Sequence, residues 1–248
     1  LRRVDDAAAQ DFTKKNAAVP VGVISTDAAS VLVIDDQGRR WRLPRGDAAL
    51  EVEGALPLRV AREVCTERDL FNAGGTFYEL PAENAGGFIK MRPIATHNRR
   101  ITDYCSYRGL LVLAGISPDA KGEHIVRSDD GKMALWLGAV DDLWSFGKPH
   151  GVGGPWKDTE VKAGEPSDAY LMTNFDRKTL TLAHDAKEPV TFTVEVDFLG
   201  NGIFREYQRV TVQPKTTHRQ TFPTGYSARW ARFTADTAAK VTALLSYE

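Results

Sequence analysis

The 248 residues carry 32 basic against 33 acidic side chains, a net charge of −1. That balance argues against a protein that grips nucleic acid, which shows a basic excess or stripe. No apolar run of about 18 residues occurs, so no hydrophobic helix long enough to span a bilayer is expected. The length allows one all-β body or two domains. The chain opens on Leu1-Arg2-Arg3 rather than Met, which suggests a processed form or fragment and leaves export open.

Residues 1–18 are polar and alanine-rich and are expected to form a short helix or a frayed end. From residue 19 the grammar becomes that of strands. β-Branched runs over 21–25 and 30–35 are followed by a turn at Gln37-Gly38 and a return strand over 39–43, as in a hairpin. Further strands are expected over 58–66, 75–80, 88–92, 101–107, 110–113 and 133–137. A glycine-rich loop then leads to strands at 159–162, 169–172 and 179–182. The last stretch alternates cleanly over 190–197, with strands at 204–212, 228–233 and 241–247 completing an antiparallel set.

Short strands with frequent turn signals point to a sandwich, barrel or propeller. No amphipathic helix of three turns is visible after residue 20, which excludes most α/β enzymes. Strand groups recur about every 40–50 residues, the period of propeller blades. The expected fold is therefore all-β, with propeller blades over 19–187 and a closing blade or β-sandwich over 188–248. Some four or five blades fit the length, so an incomplete ring completed by a missing N-terminal half or a partner chain is in keeping with it.

Two cysteines, Cys65 and Cys105, are too few for a disulfide scaffold or a zinc ribbon. Buried free thiols are the simpler expectation, with a single disulfide as the alternative.

Three segments are richer in polar and aromatic groups than packing needs. The first, 92–104, brings His97, Arg99, Arg100, Asp103 and Tyr104 onto one turn and the strand leaving it. Alternation sends Asp103 to one face with Ile101 and Cys105, and Tyr104 to the other. A histidine base, a tyrosine acid and an arginine on a carboxylate would suit β-elimination at a uronate. A polar hairpin corner would carry the same residues.

The second segment, 136–157, holds Gly147, Gly151, Gly153 and Gly154, expected as a mobile or tightly turned loop. Trp144 and Trp156 offer flat faces to a sugar ring, and Asp141, Asp142, Lys148, His150 and Lys157 offer polar contacts. An inert loop packed by its own tryptophans is the alternative. The third, 164–170, places Asp168 and Tyr170 on the same rim or in a plain turn.

No cofactor is expected. No two histidines lie at metal-ligand spacing. Asp35-Asp36 and Asp129-Asp130 are carboxylate pairs of the kind calcium takes, though no EF-hand loop surrounds them. Ser128-Asp129-Asp130-Gly131 with Trp136 is faintly similar to the hairpin Asp-box of sialidase-like propellers, in which the aspartate bonds turn amides.

Stretches at 66–70, 75–81, 92–94 with His97, 103–113, 135–138, 141–144, 147–149, 153–157, 170–172 and 228–232 together resemble a family of exported bacterial β-propeller proteins linked to polysaccharide breakdown. That family includes lyases and rhamnosidase-like enzymes acting on rhamnose–glucuronate linkages. The resemblance implies a lyase or hydrolase acting on an acidic polysaccharide or oligosaccharide, secreted or periplasmic. It transfers no catalytic residue. A non-catalytic glycan-binding propeller module is the rival reading.

Overall fold

A computed structural model describes residues 7–8, 11–12, 15, 22–46, 59–65, 68–97 and 99–248. The described residues among the first eighteen are helical. Three strands, β1 (Ile24–Thr26), β2 (Val31–Ile34) and β3 (Arg40–Leu43), then form an antiparallel meander. A second meander, the middle sheet, runs β4 (Ala61–Cys65), β5 (Arg68–Ala73), β6 (Thr76–Pro81) and β7 (Arg92–Thr96) in spatial order. The outer sheet holds β8 (Tyr104–Tyr107), β9 (Leu110–Ile116), β10 (Ile125–Arg127) and β11 (Ala134–Gly138), ordered β10-β11-β9-β8.

The remaining strands build a sandwich: β12 (Gly151–Val161), β13 (Ala169–Leu171), β14 (Lys178–His184), β15 (Val190–Asp197), β16 (Arg205–Val212), β17 (Thr217–Thr221), β18 (Trp230–Ala235) and β19 (Ala239–Tyr247). One layer is β12-β19-β14-β17 and the other β13-β18-β15-β16. The N-terminal meander joins the second layer through a parallel pairing of β3 with β13, making seven strands.

The fold is all-β, and its four sheets do not close into a ring among the described residues. The middle sheet has the up-and-down order of a single blade. The outer sheet departs from it, because β11 returns inside β10. Residues 187–189, the expected boundary, lie inside the sandwich: β14 before them pairs along its length with β19 after them.

Two cores result. The larger fills the sandwich and takes Phe71, Ala73 and Tyr78 from the middle sheet. The smaller lies between the middle and outer sheets, with Leu70 and Phe77 facing Tyr104, Leu111, Leu113 and Trp136. Adjacent residues of β5 and β6 thus enter opposite cores, as a period of two requires. Trp230 clamps the middle sheet to the sandwich: its ring meets Trp41 at 4.5 Å and its Nε1 donates to the Ile89 carbonyl at 2.8 Å.

Four local expectations are corrected. Residues 88–92 do not begin as a strand, since Gly86 and Gly87 take positive φ and a 3-10 turn, Gly87–Lys90, follows. β8 starts only at Tyr104, so Ile101 lies outside its alternation and shares the smaller core with Tyr104. The glycines at 151–154 form no loop; they open the eleven-residue β12. A Cβ on Gly154 would press into the Ala243 carbonyl of the neighbouring β19, and one on Gly153 would lie 2.9 Å from the Ala29 carbonyl. Glycine is needed there because backbones approach closely. Both cysteines are free, and Cys65 is exposed rather than buried.

Asp197 shows how a buried carboxylate is spent on the fold. It is 1% exposed. Its two oxygens accept backbone N–H groups of Leu199, Gly200, Asn201 and Gly202 at 2.8 to 3.0 Å. Those bonds set the turn between β15 and β16 and satisfy a charge that would otherwise be costly to bury.

Gly154→Ala is expected to destabilise the protein by about 3 kcal/mol, measured as the shift in urea unfolding midpoint at unchanged slope. An unaltered midpoint would contradict the close packing of β12 on β19.

Candidate functional site

The two polar segments, 92–104 and 136–157, meet. The Thr96 hydroxyl at the end of β7 accepts the His150 N–H at 2.9 Å and donates to the His150 carbonyl at 3.1 Å. Beside this junction opens a cleft of about 320 Å³, lined by Arg68, Glu79, Arg92, Asp141 and Trp144 among others. Such a volume lies at the lower end of small-ligand sites, roughly 300–1,000 Å³.

A 3-10 helix, Val140–Phe146, shapes one wall. Three residues per turn eclipse side chains three apart. Val140, Leu143 and Phe146 therefore share the face that packs on the smaller core. Asp141 and Trp144 share the next face and line the cleft. Trp144 is 75% exposed, the highest value among the described large apolar side chains. On the third face Asp142 turns back to accept the Ala139 N–H at 2.6 Å, which fixes the start of the helix.

The floor comes from the middle sheet. Arg92 and Glu79 are register partners on β7 and β6, and Arg92 donates to Glu79 Oε2 through Nε at 3.1 Å and Nη2 at 2.7 Å. Arg68 of β5 is held more loosely, with Nη1 3.9 Å from Asp141. Both arginines are about half exposed. Pro149 and Asn174 also line the cleft, and the loops that carry them are joined by a Lys148–Asp176 ion pair at 2.7 Å. His150 Nδ1 donates to the Lys148 carbonyl at 3.0 Å, which shapes the same loop.

His97 and Tyr104 do not reach this cleft. His97 is 5% exposed and packs against Phe77, ring centroids 4.5 Å apart and planes tilted by 45°. Its Nδ1 accepts the Arg99 N–H and its Nε2 donates to Asn72 Oδ1, each at 3.0 Å. With both nitrogens engaged in the interior, the imidazole has no lone pair left for a substrate proton. The Tyr104 hydroxyl is turned inward onto the Val60 and Leu70 carbonyls, at 2.9 and 2.6 Å. Burial pushes its pKa far above the ordinary phenol value. The expected base and acid are therefore parts of the smaller core. Arg99 is exposed over the Phe146 ring, and Arg100 is exposed nearby. Asp103 is an ion-pair partner of Arg59 at 2.8 Å and accepts the Tyr104 N–H.

The remaining residues fall elsewhere. Trp156, Lys157 and Asp168 line a separate depression of about 380 Å³. Trp156 is only 7% exposed, so its faces are not open for stacking. Asp168 is occupied by Arg40 and Arg42, whose Nε atoms lie 2.8 and 2.9 Å away. Tyr170 is fully buried in the sandwich, and its pKa is driven well up by that burial; it is on no rim. Asp35 organises its own turn, accepting the Gln37 and Arg39 N–H groups and the Trp41 indole. Asp130 closes the β10–β11 hairpin, accepting the Ser128 hydroxyl and the Lys132 N–H. Among the described residues no group of three or more His, Cys, Asp or Glu is arranged to hold a metal ion, and no helix is long and apolar enough to cross a membrane.

No protein family profile matches the chain, and no curated protein matches it. Among solved structures it is similar to PirA, at 13% identity, 40% of this chain, 84% of that one and a TM-score of 0.24. It is similar to an exo-β-1,3-galactanase from Phanerochaete chrysosporium solved with galactose, at 10% identity, 90% of this chain, 67% of that one and a TM-score of 0.25. A biofilm matrix protein of V. cholerae shares 12% identity over 92% of this chain and 50% of its own, with a TM-score of 0.17. At such TM-scores none of the three bears on the site.

The burial of His97 has a thermodynamic consequence. It lowers the imidazole pKa from 6.5 to about 4. Between those values the unfolded chain binds the extra proton. The contribution of neutral His97 is therefore complete above pH 6.5 and is lost as pH falls through 4, by about 3 kcal/mol in all. Unfolding free energy is expected to fall over this window more steeply in the natural protein than in His97→Gln. Equal slopes in the two would contradict a buried neutral imidazole.

Proposed function

We propose that the Trp144 cleft binds an acidic polysaccharide or oligosaccharide, with a uronate residue over the indole. The observation that carries this is the exposed Trp144, set on the cleft-lining face of the 3-10 helix beside two arginines. An indole exposed to water beside a cleft offers a stacking platform for the apolar face of a pyranose ring. Arg68 is the natural reader of the carboxylate. A guanidinium takes a carboxylate through two parallel N–H bonds, and Asp141 at 3.9 Å holds it only loosely. Arg92, doubly bonded to Glu79, supplies fixed positive potential.

Binding without turnover is the reading favoured, since no histidine or tyrosine is among the residues lining the cleft. A glycoside hydrolase remains the second reading because Glu79 and Asp141 both face the cleft, and paired carboxylates are what glycoside hydrolysis uses. A lyase acting through His97 and Tyr104 is not supported by their placement in the interior. An acidic-glycan ligand agrees with a secreted or periplasmic location.

Titration with uronic-acid oligosaccharides, followed by tryptophan fluorescence, tests the proposal. Trp144→Ala is expected to weaken binding about tenfold or more, and Arg68→Ala to abolish the preference for acidic over neutral sugars. Affinity unchanged in both variants would sink the reading. New reducing ends lost in Glu79→Gln would establish the hydrolase, and new unsaturated ends would restore the lyase.

A further inference from the structure

The turn between β15 and β16, residues 198–203, presents an apolar tip to water. Phe198, Leu199 and Ile203 are 51%, 66% and 51% exposed, three of the ten exposed large apolar side chains among the described residues, gathered within six positions. Single apolar side chains scattered over a surface need no explanation, whereas a group of them marks a contact. The turn is braced in this form. The Asp197 carboxylate takes the backbone N–H groups of residues 199–202. Phe198 is backed by the half-buried Tyr226, ring centroids 6.1 Å apart, and Tyr226 leans in turn on Tyr207 and Phe222. A buried carboxylate is thus committed to a turn that keeps apolar side chains in water.

We propose that this tip docks the protein on an anionic lipid surface, with Phe198, Leu199 and Ile203 entering the acyl boundary and the cations behind them lying at the headgroups. Shape favours a bilayer. The turn lines neither the Trp144 cleft nor the depression at Asp168; it is the end of a hairpin whose second strand, β16, is an edge of the seven-stranded sheet. A bilayer takes up such a tip without a complementary groove, to a depth of about 5–10 Å. Charge selects the kind of lipid. Arg205 is exposed and opens β16 directly after the turn. Lys90 Nζ donates to the Leu199 carbonyl, and Arg229 Nη1 donates to the Lys90 carbonyl at 2.8 Å, which sets two more cations at the base of the turn. Lys90, Arg205 and Arg229 have no carboxylate partner among the described residues. The carboxylates of the adjoining segments are engaged elsewhere. Glu195 is bonded by Arg232 through both oxygens, and Glu206 by Arg209. Asp197 is buried under its four amides, and Glu83 accepts the Gln37 amide. Uncompensated cations beside an apolar tip add attraction to anionic headgroups that neutral lipid does not return.

Co-sedimentation with lipid vesicles tests this. The protein is expected to pellet with vesicles of mixed phosphatidylglycerol and phosphatidylcholine, and about tenfold more weakly or less with phosphatidylcholine alone. Added salt should weaken the first and leave the second unchanged. Leu199→Asp is expected to weaken binding about tenfold or more, and Arg205→Gln about fivefold. Leu110→Asp, at an exposed apolar side chain of the outer sheet, is expected to bind as the natural protein does. Absence of vesicle binding, including the case in which the tip captures only a protein partner, would overturn the proposal. Equal binding to both kinds of vesicle, or binding that Leu199→Asp leaves intact, would do the same. So would equal losses in Leu199→Asp and Leu110→Asp, the mark of indiscriminate apolar adhesion. Ile203→Asp carries the same expectation as Leu199→Asp and decides the question if that variant fails to fold.

Discussion

The middle sheet is buried on both of its faces, and the rest of the architecture depends on that. Phe71 and Tyr78 commit one face to the sandwich core, while Leu70 and Phe77 commit the other to the smaller core. Neither core could keep its shape if β5 and β6 slipped by one residue, because a slip exchanges the two sets of side chains between faces. The same register places Arg92 beside Glu79 and brings Arg68 alongside. The charged floor of the cleft is therefore fixed by packing, with exposed ion pairs adding little stability of their own.

Polar groups in this protein divide sharply between structural and available. His97, Tyr104 and Asp197 have their hydrogen-bonding capacity taken up inside the molecule. Asp168 is shared between two arginines. Trp144 and Arg68 are the contrasting cases. The first exposes its aromatic ring to water, and the second, among the described residues, has a carboxylate 3.9 Å away. That contrast directs the functional reading to the cleft rather than to the cluster of ionisable residues at 97–104.

Much of the fold was legible in the sequence because alternation survives wherever one strand face is wet. The hairpin of β2 and β3 and the clean pattern of β15 are cases. β5 was missed because Arg68-Asp-Leu-Phe-Asn-Ala73 is buried on both faces at its far end, which erases the alternation. The first half of β12 was expected as a loop, since glycines chosen for close backbone approach look like turn residues, whereas its second half was read as a strand. Trp144 and Asp141 were visible as site candidates. Arg68 and Glu79 were not, as isolated charges on strands become neighbours only through cross-strand register. His97 and Tyr104 misled for the converse reason: local composition does not distinguish a polar corner on the surface from one folded inward.

Hydrogen exchange at the backbone amides of β5 and β6 tests the shared middle sheet most directly. If both cores close on these strands, their amides exchange only through global opening, with the same free energy as β14 and β19. Exchange of β5 and β6 by a smaller opening, with the sandwich still protected, would contradict it.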